Sequence, residues 1–394
     1  MSEEQWQPAE AELADLWAAV AEADGGLVHG SRITHRDVQR SSTTVAARVD
    51  VTGADGRRGA ETFCASTSDR ARGAMRMSDG HRELGVWRFP HDPALPGLAA
   101  AVDPDRMRAL LARFGLPAQG LTVHVRAYRP LRRAVVELRT STASVFVKAL
   151  RPDKVEALHH MHRAAEGGIV PESLGWTGDG LLLLAGVGGR PLRRLLLSGN
   201  TIELERIDPG DIVGTLRALP AAFTEQGRRP GWADRARHYA DVVARLHPDV
   251  GDRAHAVADA AESRPTWPDV PVHGDFYETQ LLVSEGRLVG LLDLDTAGAG
   301  DPHDDPACLL GHLSVLAQVK PERAPVIDRF AQRCRREFDE HWDPAALRIS
   351  AAAVVLSLAP GAHRTGGRRW RSVLEQRLEL AEHWCRDAAR SGPA

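Results

Sequence analysis

The stretch Val272-His273-Gly274-Asp275-Phe276-Tyr277-Glu278-Thr279-Gln280, running on through Leu281-Leu282-Val283-Ser284-Glu285-Gly286-Arg287-Leu288-Val289-Gly290-Leu291-Leu292-Asp293, decides the reading of this chain. Two apolar runs flank a Glu285-Gly286 turn, the pattern of a β-hairpin. A two-residue loop pairing Ser284 with Arg287 would set Gln280 opposite Leu291 and Glu278 opposite Asp293. Gln280 and Asp293 then share the open end of the hairpin. Asp275 precedes that end in a loop entered through Gly274, a residue free to take backbone angles that others resist. Such a convergence of oxygen-bearing side chains suits magnesium, which is held by one or two carboxylates together with substrate phosphates. One carboxylate is left over to serve as a base. The alternative is that both aspartates are turn residues capping backbone amides.

Working towards the amino terminus, three runs predict a strand meander: residues 121–128, 134–139 and 144–149, with Pro152-Asp153 announcing a helix after them. In the last run Val145 and Val147 face one way while Phe146 and Lys148 face the other. Lys148 is one of only three lysines among 50 cationic side chains, so this chain habitually uses arginine and a lysine needs its own account. Further on, the buried-strand pattern Leu181 to Leu184 ends in Ala185-Gly186-Val187-Gly188-Gly189, a Gly-rich connection between two lobes. The signal is mostly helical over 192–263 and again from Ala307 onwards.

The first hundred residues read as a separate α+β unit. Helical spacing covers 10–23, with Leu13, Trp17 and Val20 on one face, and recurs at 103–114. Between them lie strand-like runs at 42–52, 61–67 and 83–89, the last two following the turns Asp55-Gly56 and Asp79-Gly80. The three prolines of residues 90–97 should close this unit or lie across its surface. The domains are therefore 1–100, a helical linker at 101–120, a β-rich lobe at 121–188 and a mainly helical lobe at 189–394.

Composition narrows the field. A chain of 394 residues, 43% hydrophobic and 26% charged, has the make-up of a folded multidomain protein. Its net charge of -3 provides no global field for nucleic acid or anionic membrane. No apolar run suggests a membrane span and the start lacks a signal-peptide pattern, so a cytoplasmic location is expected. Cys64, Cys308, Cys334 and Cys385 lie far apart, which argues against a zinc knuckle, redox dithiol or disulfide framework. His159, His160 and His162 point in different directions on a helix. Residues 363–371 read as a loop and solvated helix start rather than a nucleic-acid patch. Asp305, before Pro306, reads as a helix N-cap, although Asp301, Asp304 and Asp305 could instead extend an acidic site towards a cationic substrate.

His273-Gly274-Asp275 with Gln280, and Leu292-Asp293 placed 18 residues beyond Asp275, resemble the H-G-D-x-x-x-x-N and I-D elements of the aminoglycoside phosphotransferase and choline kinase family. These small-molecule kinases are distant relatives of the protein kinases. The resemblance covers about residues 120–380. It implies a bilobal protein-kinase-like fold, here preceded by the small α+β domain, that moves the γ-phosphoryl group of ATP to a hydroxyl of a small molecule with Mg²⁺ as cofactor. Asp275 becomes the base or orienter of the acceptor, Asp293 a metal ligand, and Lys148 the partner of the α- and β-phosphates. Glu156 would orient Lys148, with Glu166 a second choice. Ala185 to Gly188, chiefly Ala185 and Val187, would meet the adenine edge. His273 would support the loop.

Two features depart from the family pattern. Gln280 stands where most members have asparagine as second metal ligand, and no Gly-rich loop occupies Arg129-Pro130-Leu131-Arg132-Arg133. Maltokinases and bacterial glucosamine kinases are similar to this chain in having glutamine there and an extra amino-terminal domain. The acceptor is thus expected to be a sugar, amino sugar or aminoglycoside. The rival reading is a nucleotide-binding pseudokinase with a regulatory or scaffolding role.

Overall fold

The computed structural model describes residues 6, 8–39, 42–78, 83–199, 201–364 and 369–391. The chain divides into two compact units, Met1–His160 with Glu172–Gly186, and Met161–Pro171 with Val187–Ala394.

The first unit opens with helix α1 (Glu10–Glu22) and an antiparallel sheet of β1 (Leu27–Val38), β2 (Thr43–Thr52), β3 (Arg58–Ser66), β4 (Met75–Ser78) and β5 (Glu83–Arg88), in the order β1-β2-β3-β5-β4. Val45, Ala47, Val49 and Val51 alternate into the core as their spacing predicts, and Leu13, Trp17 and Val20 of α1 are buried with them. The rings of Trp17 and Phe63 meet edge to face at 6.0 Å. Strands β1 and β4 are additions to the sequence reading. β1 is an edge strand whose polar sequence, His29, Ser31, Arg32, Thr34, His35, Arg36 and Asp37, carries no apolar alternation to betray it. The Asp79-Gly80 turn lies outside the described residues.

A second antiparallel sheet follows, built from β6 (Thr122–Arg129), β7 (Arg133–Arg139), β8 (Ser144–Leu150), β9 (Ser173–Trp176) and β10 (Leu181–Ala185), in the order β6-β7-β8-β10-β9. Helices α2 (Leu98–Ala101) and α3 (Pro104–Arg113) bury Leu98, Met107 and Leu111 together with Val136, Leu138, Val147 and Leu183 of this sheet. The start of α3 is fixed locally: Pro104 occupies the first turn and the Asp103 carboxylate accepts the N–H groups of Asp105 and Arg106 at 2.9 and 3.1 Å. Helix α4 (Pro152–Ala164) runs from the first unit into the second.

The second unit is mainly helical: α5 (Leu192–Ser198), α6 (Thr201–Arg206), α7 (Pro209–Arg217), α8 (Ala236–Leu246), α9 (Gly251–Glu262), α10 (Asp304–Val319), α11 (Ala324–Asp339), α12 (Pro344–Leu358), α13 (Gly361–Arg364) and α14 (Trp370–Ser391). Its strands are β11 (Arg190–Pro191), β12 (Val270–Val272), β13 (Leu281–Ser284), β14 (Arg287–Leu291) and β15 (Gly298–Gly300). One stretch, Pro344–His363, is after all long and apolar enough to cross a bilayer by length and composition, and 78% of that window is buried inside the fold. It is packed as a core helix, with Leu347, Ala351, Val354 and Val355 fully enclosed. All four cysteines are free thiols, with Cys64, Cys308 and Cys334 buried.

Candidate active site

The loop after β12 is held by backbone capture. The Asp305 carboxylate, on the first turn of α10, accepts the N–H of His273 at 2.6 Å and that of Gly274 at 2.8 Å. Asp305 is therefore not the cap of its own helix, as the sequence suggests. Its acceptors serve a loop 31 and 32 residues away, and His303 occupies the N-cap position. Gly274 has φ of 78°, and a Cβ there would sit 2.6 Å from the carbonyl oxygen of Thr296, so conformation and space both demand glycine.

His273 is fully buried and ties the loop to the second strand of the hairpin. The Asp275 N–H donates to Nδ1 at 3.3 Å, leaving the Nε2–H to donate to the Leu292 carbonyl at 2.8 Å. The Thr296 hydroxyl donates to the His273 carbonyl at 3.0 Å. With both ring nitrogens engaged in backbone bonds, His273 supports the loop and has no lone pair left for proton transfer. Asp275 thus sits on a segment anchored at three points, one residue from Asp293 through the His273–Leu292 bond.

The hairpin corrects the sequence reading by one residue. Ser284 pairs with Arg287 and Val283 with Leu288, but the register then shifts, so that Leu282 pairs with Gly290 and Leu281 with Leu291. The extra residue is Val289, a bulge in the second strand. Gln280 consequently faces Leu292, whose N–H donates to the Gln280 carbonyl at 2.8 Å, and not Leu291. The shift brings Gln280 alongside the residue next to Asp293. Asp293 itself takes φ 68° and ψ 69°, a left-handed conformation rare for residues other than glycine, asparagine and aspartate. That conformation ends the strand direction at the mouth of the hairpin. Gln280 is buried and supplies an amide oxygen, Asp293 a carboxylate, so the donor set is all oxygen and fits a hard divalent cation.

Glu278 was not singled out by its residue type, yet it is fully buried beneath the same loop. Arg193 of α5 donates to its carboxylate at 2.7 Å, and the Arg193 N–H donates to the Glu278 carbonyl at 3.0 Å. Burial pushes the Glu278 carboxyl above its ordinary range, Arg193 opposes this, and the charge of Asp275 adds to it. The pair links the loop to α5. Tyr277 stacks on His312 of α10, ring centroids 4.3 Å apart and 27° between planes. Burial drops the His312 pKa to about 4, so its imidazole is neutral near pH 7.

In the first unit, Lys148 lies in the central strand β8, paired with Val135 and Leu182, and is 7% exposed. Glu156, the residue expected to orient it, is exposed. It stands on the solvent face of α4, where its ion-pair neighbour is His160 at 4.0 Å, because the turn of the helix that carries it faces outward beside buried Val155 and Leu158. Glu166 pairs with Arg163. The three histidines of α4 separate as their spacing implies: His159 bonds Ser173 Oγ at 2.8 Å, His162 the Pro171 carbonyl at 2.8 Å, and His160 faces Glu156.

At the end of β10 the Ala185 N–H is spent on the Glu172 carbonyl at 2.9 Å, and Gly186 N–H on the Ser144 carbonyl at 2.9 Å. A Cβ on Gly186 would stand 2.6 Å from the Ser144 carbonyl oxygen. The Ala185 amide is therefore already bonded within this unit.

The turn between β6 and β7, where a Gly-rich loop is lacking, is restrained from the amino-terminal part of the same unit. Leu131 has φ of 60° and its N–H donates to Asp92 at 2.8 Å. Asp92 also accepts the Tyr128 hydroxyl at 2.8 Å and the Ala94 N–H at 2.9 Å, while Trp87 Nε1 donates to the Tyr128 oxygen at 2.9 Å. The proline-rich segment, expected to close the amino-terminal unit or lie across its surface, sends Asp92 and Leu95 inside.

The acidic run before α10 divides into two environments. Burial opposes ionisation of Asp301, but bonds from His303 and Arg264 outweigh it and hold that carboxyl at about 2. Asp304, buried beside it, is pushed up to about 7 by burial and by the charges of Asp301 and Asp305. With Arg264 on Asp301 at 2.5 Å, this run is internally satisfied and does not form an open anionic surface for a cationic substrate. Residues 365–368 of the basic stretch at 363–371 lie outside the described residues, and Trp370 packs edge-on against His363 at 4.9 Å.

Comparison with known proteins gives one decisive match. No curated protein matches the chain. Solved structures with a similar fold include a thermostable mutant of aminoglycoside phosphotransferase APH(4)-Ia in ternary complex with ADP and hygromycin B, 16% identical over 73% of this chain and 98% of that one, with a TM-score of 0.47. The macrolide 2'-phosphotransferase MphH from Brachybacterium faecium is 21% identical over 70% of this chain and 98% of its own, with a TM-score of 0.45. The family model described as the phosphotransferase enzyme family (APH) matches residues 125–348, more than half of the chain and all of the elements described above from β7 to α11. The chain belongs to the phosphotransferase enzyme family, whose members are kinases of small molecules.

Proposed function

We propose that this kinase phosphorylates a hydroxyl of a sugar, amino sugar or aminoglycoside, with Asp275 as the group that orients the acceptor and takes its proton. The observation that carries this reading is the double anchoring of the Asp275 loop, by Asp305 on one side and by the His273–Leu292 bond on the other. Catalysis of phosphoryl transfer rests on position and charge more than on covalent chemistry, so a loop over-determined by backbone bonds is what such a base requires. The acceptor O–H would give its proton to Asp275 as its oxygen bonds the γ-phosphorus and the bond to the β-phosphate oxygen breaks, releasing ADP.

Gln280 and Asp293 are assigned as the residues that hold Mg²⁺, which when bound would neutralise charge on the transferring phosphoryl group. Lys148 would hold the α- and β-phosphates. Among the described residues the Val187 amide has no protein acceptor, and with the Ala185 carbonyl it would read the adenine edge. The glutamine at 280 and the α+β region before the kinase elements favour the sugar and amino sugar side of the acceptor class, as in the maltokinases and glucosamine kinases to which the sequence is similar.

ATP consumption measured across sugars, amino sugars, aminoglycosides and choline tests the acceptor class, and turnover with choline alone would overturn it. Asp275→Ala should abolish turnover with the true acceptor while nucleotide still binds. A near-normal kcat in that variant would remove Asp275 from the role of base.

A further inference from the structure

We propose that Asp275, Cys308 and His312 form a binding site for a thiophilic divalent cation of the zinc class, and that its occupation switches the kinase off. Each residue offers one donor atom, an oxygen, a sulfur and a nitrogen, and the three atoms lie within 4.8 Å of one another. Cys308 and His312 are four residues apart on α10, so they leave the helix from one face and one turn apart. Asp275 approaches that face from the loop that Asp305, on the first turn of the same helix, holds in place. The constellation is therefore built on one rigid element and one pinned loop.

Tetrahedral zinc with bonds of about 2.0 to 2.3 Å sets its ligand atoms roughly 3.3 to 3.7 Å apart. Closing from 4.8 Å asks for adjustments on the order of 1 Å, within the reach of the Asp275 side-chain torsions. The His312 ring is already fixed by its stack on Tyr277. Softness separates this set from the proposed magnesium ligands: thiolate and imidazole favour zinc, cobalt or copper, whereas Gln280 and Asp293 offer only oxygen. Cys308 is fully buried, so on binding its thiol proton leaves for solvent by way of the neighbouring Asp275 carboxylate as the sulfur–metal bond forms. Three protein ligands leave the fourth position for water.

Inhibition rests on the reading of Asp275 as the acceptor's base, because a carboxylate engaged as a ligand cannot accept a hydroxyl proton. The binding itself does not rest on it, and the experiment separates the two. Co²⁺ is titrated into the nucleotide-free full chain and the thiolate-to-cobalt charge-transfer absorption in the near ultraviolet is recorded, followed by back-titration with Zn²⁺. We expect a one-equivalent band that zinc erases and that Cys308→Ser and His312→Gln each abolish, with thermal melts confirming that both variants fold. In turnover assays at saturating Mg²⁺ and ATP, zinc should inhibit the parent, and the half-inhibitory concentration should rise tenfold or more in Cys308→Ser, whose turnover without zinc is unchanged. Absence of the band, or its persistence in Cys308→Ser through another cysteine, would overturn the site. A band that both variants remove, with turnover indifferent to zinc, would uphold the site and overturn the role of Asp275.

Discussion

Asp305 and His273 are 32 residues apart in sequence and joined at 2.6 Å, carboxylate to backbone N–H, with Gly274 N–H on the second oxygen at 2.8 Å. The bond makes the first turn of α10 the support of the loop that carries Asp275. Removing the carboxylate leaves two buried donors without partners, each worth about 1 to 3 kcal/mol. Asp305→Ala should therefore lower unfolding free energy by on the order of 2 to 5 kcal/mol and reduce kcat more than it raises KM for ATP. Asp305→Asn keeps one acceptor and should fall between. Denaturant titration and steady-state kinetics check this, and an alanine variant with parental stability and kcat would dismiss the support role.

Asp92 performs the same service for the β6–β7 turn, accepting from Leu131, Tyr128 and Ala94. Asp92→Ala would strand three donors in a buried site, so a loss on the order of 2 to 4 kcal/mol is expected. Tyr128→Phe takes one donor from Asp92 and the acceptor from Trp87 Nε1, and should cost on the order of 1 to 3 kcal/mol. The functional signature is a raised KM for ATP with the acceptor KM unchanged, because this turn occupies the place of the missing Gly-rich loop. If both variants destabilise but leave the KM for ATP alone, the network is structural only.

The neighbouring carboxyls Asp301 and Asp304 titrate on opposite sides of the ordinary value. Asp304 is raised from 3.8 to about 7, so its contribution to stability is full below the unfolded value and is lost as pH rises from about 4 through 7. Asp301 is lowered to about 2, so its contribution is present above 3.8 and is lost as pH falls towards 2. Asp304→Asn should thus gain relative to the parent as pH climbs from 4 to 7.5, seen as a narrowing or reversal of the difference in unfolding midpoint. Removing the opposing charge with Asp301→Asn should shift the Asp304 transition downward. Parallel pH profiles for parent and Asp304→Asn would refute the buried, raised carboxyl.

The sequence was legible wherever signals were local. The alternating valines of β2, the Asp103-Pro104 start of α3, the strand runs of the second sheet and the Gly274 entry to the loop each announce themselves within a few residues, and the structure places them accordingly. It misleads where the deciding partner is distant. Asp305 has the local form of an N-cap, and only the folded chain reveals that its acceptors are spent on His273 and Gly274. The bulge at Val289 moves the hairpin register by one, and no residue type marks it, because Val289 is as good a strand former as its neighbours. Strand β1 was missed because an edge strand with one solvated face needs few apolar residues.

The last prediction concerns the residue that departs from the family pattern. Gln280 and asparagine present the same amide oxygen, but asparagine lacks one methylene, which withdraws that oxygen by about 1.5 Å. The main chain cannot advance to compensate, because Gln280 N–H is bonded to the Tyr277 carbonyl at 2.9 Å and its own carbonyl to Leu292 N–H at 2.8 Å. Magnesium tolerates little distortion of its octahedral shell. Gln280→Asn should therefore raise the Mg²⁺ concentration for half-maximal activity several-fold and lower kcat, with Gln280→Ala at least as damaging and both variants folding as the parent does. Metal titrations that superimpose for all three proteins would show that Gln280 is no ligand, and would leave Asp293 as the single protein group assigned to the metal.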